Sequence, residues 1–224
     1  MATTSLIPLF PLSIVVFPGQ LVPLHIFEER YKEMIADCHP DGGSFDHFGI
    51  ILATGESIAS TGCSVAVMER GQTYPDGAFD MVGKAERRFT VIESFENRPY
   101  QTATVAFLED EGIAHVDPTL QEAAEERYTK LIELAKREKG SRLVGGGGEA
   151  EPPDRVSGAL PSFAICASLG MDLRQKQQIL EMRSESERLQ RLVDYLDQLL
   201  PALQSRLEQT TRVKSNGRPR RKGD

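Results

Sequence analysis

Leu21-Val22-Pro23-Leu24-His25-Ile26-Phe27-Glu28-Glu29-Arg30-Tyr31-Lys32-Glu33-Met34-Ile35 changes its apolar period midway, and that change decides the class of fold. Leu21–Ile26 is a short apolar run with a proline inside it, which reads as an edge strand rather than a central one. From Phe27 to Cys38 the apolar residues Phe27, Tyr31, Met34 and Ile35 fall at spacings of four, three and one. That is one face of a helix of about three turns, ended by Pro40 and Gly42-Gly43.

Outward from this stretch the chain reads as strands on both sides. Toward the N-terminus, Ile7–Phe10 and Ser13–Phe17 are apolar segments punctuated by Pro8, Pro11, Pro18 and Gly19, which implies edge strands and sharp corners. Toward the C-terminus come Phe48–Ala53 and Cys63–Met68, then Tyr74-Pro75-Asp76-Gly77. Proline presets one dihedral of that turn and glycine accepts positive φ, so Val65–Arg70 and Ala78–Val82 are expected to form a hairpin. Arg88–Phe95 and Thr102–Leu108 complete the set. Arg87 and Arg88 adjoin on a strand and must point to opposite faces, one toward a structural salt bridge and one toward solvent. Several short strands at regular spacing indicate a small barrel or sandwich over residues 1–112, interrupted by one helix.

The second half switches to a helical period. Asp117-Pro118 is an N-cap with proline at the first helical position, followed by the stripe Leu120, Ala123, Ala124, Tyr128, Leu131, Ile132 and Ala135. Helical patterns return at Leu160–Leu169, closed by Gly170, and from Asp172 to near Met182. Ser184 with Glu187 makes a capping box for a helix carrying Leu189, Leu192, Val193, Leu196, Leu199 and Leu200. Pro201 is expected to kink or restart it, since proline inside a helix costs about 3 kcal/mol. Residues 113–208 thus read as an α-helical bundle with a flexible loop at 141–157, around the four glycines 145–148. Residues 209–224 read as a disordered basic tail. The class is α+β.

Charge and cysteine content exclude several functions. The chain has 26 basic and 33 acidic residues in 224, a net charge of −7. Arg212, Lys214, Arg218, Arg220, Arg221 and Lys222 face one acid in the last thirteen residues; without that tail, 20 basic and 32 acidic groups remain, a net of −12. An acidic body repels phosphate backbones. Cys38, Cys63 and Cys166 are odd in number and far apart, so no disulfide framework is expected. The N-terminus lacks a secretory pattern, and no run approaches the roughly 18 apolar residues of a membrane span. A cytoplasmic protein is expected.

Ile7-Pro8-Leu9-Phe10-Pro11-Leu12, Val16-Phe17-Pro18-Gly19 and Pro23-Leu24-His25-Ile26-Phe27-Glu28, with Arg30-Tyr31 and Met34 after them, resemble the opening of Lon protease N-terminal domains. Phe48-Gly49-Ile50, Gly62-Cys63, Asp76-Gly77 and Gly83 with Arg88-Phe89 are similar to later strands of that family. Leu169-Gly170, Gln177-Gln178-Ile179-Leu180-Glu181 and Arg188-Leu189 are similar to its helical part. The resemblance covers residues 5–205. It implies a PUA-like β pseudo-barrel joined to a helical bundle, and recognition of unfolded or flexible polypeptide or of a partner protein. ATPase and protease modules are expected to be missing from this chain, and with them any enzymatic activity.

Residues carrying chemistry are sparse. No GK[ST] follows the glycines at 145–148, so no phosphate loop is present. Cys38, His39 and His47 lack zinc-ligand spacing, and no metal or cofactor is expected. His25 should turn opposite to Leu24 and Ile26 as a hydrogen-bonded structural histidine. For peptide binding the candidates are the proline-interrupted strands and the hairpin tip, with Phe27, Tyr31, Tyr74, Phe79 and Met81 as contacts. Core filling competes as a role for each, most strongly for Phe27, Tyr31 and Met81; Tyr74 flanks a turn and should be exposed. The alternative function is a PUA-like nucleic-acid binder using the barrel and the basic tail, although that tail has no interleaved aromatics for base stacking.

Overall fold

A computed structural model describes residues 3–38, 44–55, 57–111, 116–137 and 160–216, with side chains placed to residue 209. The order is β1 (Thr4–Leu12), β2 (Leu21–Ile26), α1 (Glu29–Asp37), β3 (Phe48–Thr54), β4 (Ser57–Thr73), β5 (Phe79–Phe95), β6 (Thr102–Phe107), α2 (Pro118–Arg137), α3 (Pro161–Ser168), α4 (Leu173–Glu181) and α5 (Glu185–Asn216). The expected loop at 141–157 and the end of the basic tail lie outside the described residues.

The strands form one mixed sheet in the order β2-β5-β4-β3-β1-β6, and β6 also pairs with β5, so the sheet closes on itself. β1 and β3 run parallel, and the remaining pairs are antiparallel. Closure is possible because β5 is long. Phe79–Lys84 pair with β2, and Phe89–Phe95 pair with β6. β2 therefore has a partner on one side and is the sheet's edge. The expected hairpin is β4–β5, its turn closed by Gly77 N–H donating to Tyr74 O at 2.9 Å, with Gly77 at φ 79°.

Gly49 and Gly62 of the sheet have no room for a side chain. A Cβ on Gly62 would lie 2.4 Å from the Ile50 carbonyl oxygen and 2.7 Å from Phe89 Cζ, and one on Gly49 would lie 2.6 Å from the same Cζ. The buried Phe89 ring takes the space those side chains would need.

Three expectations change. Ser13–Phe17 forms no strand. Val15 and Phe17 enter the helical core while Val16 enters the sheet core, so the segment is held by packing on both faces rather than by a ladder. α5 does not restart at Pro201, because the loss of one donor is outweighed by the buried stripe Leu196, Leu200 and Leu203 on either side of it. α5 also continues to Asn216, so residues 209–216 begin the tail as helix rather than as disordered chain.

Sheet and helices are joined through a buried charge cluster. Arg88 of β5 is 2% exposed and Arg188 of α5 is 0% exposed. Arg88 donates to the carbonyls of Leu180 at 2.7 Å and Met182 at 2.6 Å, and to Asp110 Oδ1 at 2.9 Å. Arg188 donates to Met182 O and Glu185 Oε2, each at 2.7 Å, and pairs with the same Asp110 oxygen at 2.5 Å. Glu185 accepts from Ser162 N–H at 3.0 Å, and Phe163 lies against both guanidinium groups. Arg87, on the opposite face as expected, pairs with exposed Glu109.

Removing one member of such a cluster strands its partners without water. Arg188→Met should lower stability by about 3–5 kcal/mol, read as a reduced urea midpoint with the slope unchanged; a loss under about 1 kcal/mol would show that the cluster is not what joins sheet to helices. Gly62→Ala should cost about 1–3 kcal/mol by overpacking against Phe89, measured in the same way.

Candidate functional site

The candidate residues divide by burial. Tyr31 packs against Phe10 with ring centroids 4.2 Å apart. Phe79 is roofed by the Arg70 guanidinium, its Cζ 3.9 Å from the ring centroid. Met81 and both of these rings are buried, which withdraws their side chains from direct contact with a ligand. Phe27 departs from the core role expected for it. α1 begins two residues later, at Glu29, and Glu28 is still extended, so strand alternation after buried Ile26 turns Phe27 outward. It is 61% exposed.

Phe27 and Tyr74 meet through residues the sequence did not nominate for binding. The His25 ring stacks on Phe27 with centroids 6.0 Å apart and meets the edge of Tyr74 at 5.4 Å. Tyr74 Oη donates to Asp80 Oδ2 at 2.7 Å, and His25 Nδ1 lies 2.7 Å from Asp80 Oδ1. An ionised carboxylate can only accept, so the proton sits on Nδ1. His25 is thus the hydrogen-bonded histidine anticipated, although its side chain is half exposed. These bonds to His25 and Tyr74 hold the Asp80 carboxyl below the usual carboxylate range. The hydrogen bond to Asp80, with the carboxylate's charge as a smaller contribution, in turn holds the Tyr74 phenol above the ordinary tyrosine value.

Cross-strand register extends this cluster into a patterned face. His25 lies opposite Asp80, Pro23 opposite Val82, and Leu21 opposite Lys84. On the far side of β5, Glu69 lies opposite Val82 and Ala66 opposite Lys84. A groove of about 410 Å³ runs between these rows, over Pro23, His25, Glu69, Gly71, Asp80 and Val82. Exposed Leu21, at 57%, extends its apolar strip. Asp80, Glu69 and Val82 could not be found from sequence, because their meeting depends on a register that shifts between Val67 and Glu69.

The edge of β2 is less available than its face. Pro23 cannot donate, so the pairs that exchange backbone hydrogen bonds with β5 are those of Val22, Leu24 and Ile26, in phase with Ala85 N–H donating to Gln20 O at 2.9 Å. Outward-facing donors remain at Leu21 and His25, with none between them.

Nothing in the face is poised for covalent chemistry. Burial pushes the Cys38 and Cys63 thiols up to about 12, so neither is a thiolate at neutral pH. His47 is committed to Glu86 at 2.7 Å. Among the described residues no group of three His, Cys, Asp or Glu could hold a metal ion, and no helix is long and apolar enough to cross a membrane.

The ATP-dependent protease La (LON) substrate-binding domain model matches residues 6–198. This chain belongs to that family. It is 26% identical over 210 residues to the Lon protease of Dictyoglomus thermophilum, and 26% identical over 222 residues to that of Azospirillum brasilense. These alignments take in 89% and 94% of the chain but 25% and 26% of the two proteases, so the chain spans about a quarter of their length. The fold resembles the Lon N-terminal domain protein of Xanthomonas campestris, with a TM-score of 0.62 at 21% identity, covering 85% of this chain and 98% of that one. The N-terminal domain of the Mycobacterium avium complex Lon protease gives 0.59 at 18% identity, covering 86% and 98%.

The mutual dependence of Tyr74 and Asp80 in this Lon-family face has a definite sign. The raised Tyr74 value means that the contact is intact below the ordinary tyrosine pKa and lost as pH rises through the folded one. The depressed Asp80 value means that it persists through mild acid and fails as pH falls through the folded carboxyl value. With carbon-13-labelled tyrosine, NMR titration of Asp80→Asn should move the Tyr74 transition toward 10.0 and leave the other tyrosines in place. An unmoved Tyr74 would break the link.

Proposed function

We propose that this chain binds unfolded or flexible polypeptide segments, or a partner protein that presents one, through the outward face of β2 and β5, and that it is not itself an enzyme. The observation that carries this reading is the Phe27–His25–Tyr74 cluster: His25 and Tyr74 are fixed by hydrogen bonds to Asp80, and exposed Phe27 stacks on the fixed His25 ring. An aromatic ring fixed in place before binding contributes contact area at low entropic cost. Membership of a substrate-binding family supports the same reading.

The architecture we assign is a PUA-like pseudo-barrel over residues 1–112 and a helical bundle over 113–208. The closed sheet and the shared core of α2, α3, α4 and α5 support it. A cytoplasmic setting agrees with three buried, unpaired thiols.

The test is capture of a reduced, alkylated protein that cannot refold, compared with its native form. The chain should retain the unfolded form and release the native one. Phe27→Ser with Tyr74→Ser should weaken capture by about tenfold or more, the usual effect of removing aromatic anchors from an interface. Equal retention or equal loss of the two forms would overturn the proposal.

A further inference from the structure

The face is asymmetric in charge, and that asymmetry bears on what it accepts. Asp80 has both carboxylate oxygens engaged, by His25 and Tyr74, yet the group still projects its charge among three rings. Glu69 stands exposed on the groove's opposite side, with no hydrogen bond or ion pair to it among the described residues. Val82 lies beside both, and Pro23 extends its apolar floor across β2. Rings whose faces are negative, with two carboxylates a short distance off, form an environment for a cation.

Lys84 is the charge that opposes this reading. It lies one row further along β5, between Leu21 and Ala66, and is half-buried. Glu69 therefore stands one row from Lys84, and Asp80 one row further toward the rings, while the ammonium of Lys32 at the Tyr74–Gly77 turn is already held by Glu29 Oε1 and Asp76 O.

From this we infer that the face selects extended segments in which a lysine or arginine adjoins a large apolar residue. The cation lies at Glu69, and the adjoining apolar side chain lies on the Pro23–Val82 strip beside it, toward the Phe27–His25–Tyr74 rings. The inference rests on the proposed polypeptide-binding function and names the class of segment it takes. Polarity along the strand follows from Lys84, which favours an acidic or neutral residue at the Leu21 end.

The experiment uses three dye-labelled peptides of one length, identical except that the residue beside a central phenylalanine is lysine, glutamine or glutamate. Fluorescence anisotropy with the full chain should rank them lysine, glutamine, glutamate. The lysine peptide should bind about tenfold tighter than the glutamate one at low salt, and the gap should narrow in high salt. Glu69→Gln, an exposed substitution whose folding circular dichroism verifies, should cut the lysine preference to about threefold or less. If the three peptides bind equally while alkylated protein is still captured, the charge selectivity is wrong and the binding function stands. If the lysine preference survives intact in both Glu69→Gln and Asp80→Asn, it comes from the net negative charge of the whole chain, and the assignment to this face is overturned. If neither peptides nor unfolded protein bind, both readings fall.

Discussion

Two arginines taken out of water constrain everything else in this molecule. Arg88 comes from the sheet and Arg188 from the last helix; Glu185 of that helix pairs with Arg188, whereas the acid that pairs with Arg88 lies outside β5. Asp110 bridges the two, and Glu185 completes a cluster of two guanidinium groups and two carboxylates. The remaining acceptors are Ser162 Oγ and the carbonyls of Leu180 and Met182, the latter two at the end of α4, where a helix leaves its last carbonyls without partners. Cations are favoured at that end of a helix. The cluster therefore meets several needs at once: the helix end is capped, the guanidinium groups are paired, and sheet and helices are set in one orientation. Hydrophobic packing alone, being non-directional, would fix that orientation less well.

β5 carries this constraint outward. Arg88 lies four residues beyond Lys84, and the first half of the strand displays Asp80, Val82 and Lys84. The candidate face is thus built on a strand whose other half is anchored by the buried cluster and by pairing with β6. Rigid support matters for a face of few anchors, since each side chain left free to move would have to be ordered on binding. His25 and Tyr74 supply the local part of that ordering by gripping one carboxylate from two sides.

Much of the fold was legible in the sequence because local chemistry agreed with the global outcome. Asp172 accepts from Gln175 N–H at 2.8 Å and opens α4 where the pattern placed a helix start. Ser184 accepts from Glu187 N–H, and the Tyr74-Pro75-Asp76-Gly77 turn joins the longest strands. What could not be read depends on register. Shifts at Cys63/Val65, Val67/Glu69 and Arg70/Thr73 repeatedly re-aim β4, so no alternation count gives the faces of Met68, Glu69 and Arg70. Phe27 was misjudged for a related reason. Its spacing to Tyr31 fits a helical face, but the helix starts after it, and boundaries are where periodicity says least.

Pro23 bears on the proposed binding of extended chains and on what else the edge of β2 would accept. An edge strand with a full row of donors would accept any strand, including β2 of a second molecule. With no donor at the middle outward position, backbone addition along β2 loses its central hydrogen bond, while the side-chain face beside it is untouched. Recognition then falls to groups that distinguish one segment from another: ring faces, a carboxylate, a narrow apolar strip. A blunted edge next to a patterned face trades affinity for any strand against discrimination between strands, which suits the polypeptide-binding role proposed for this surface.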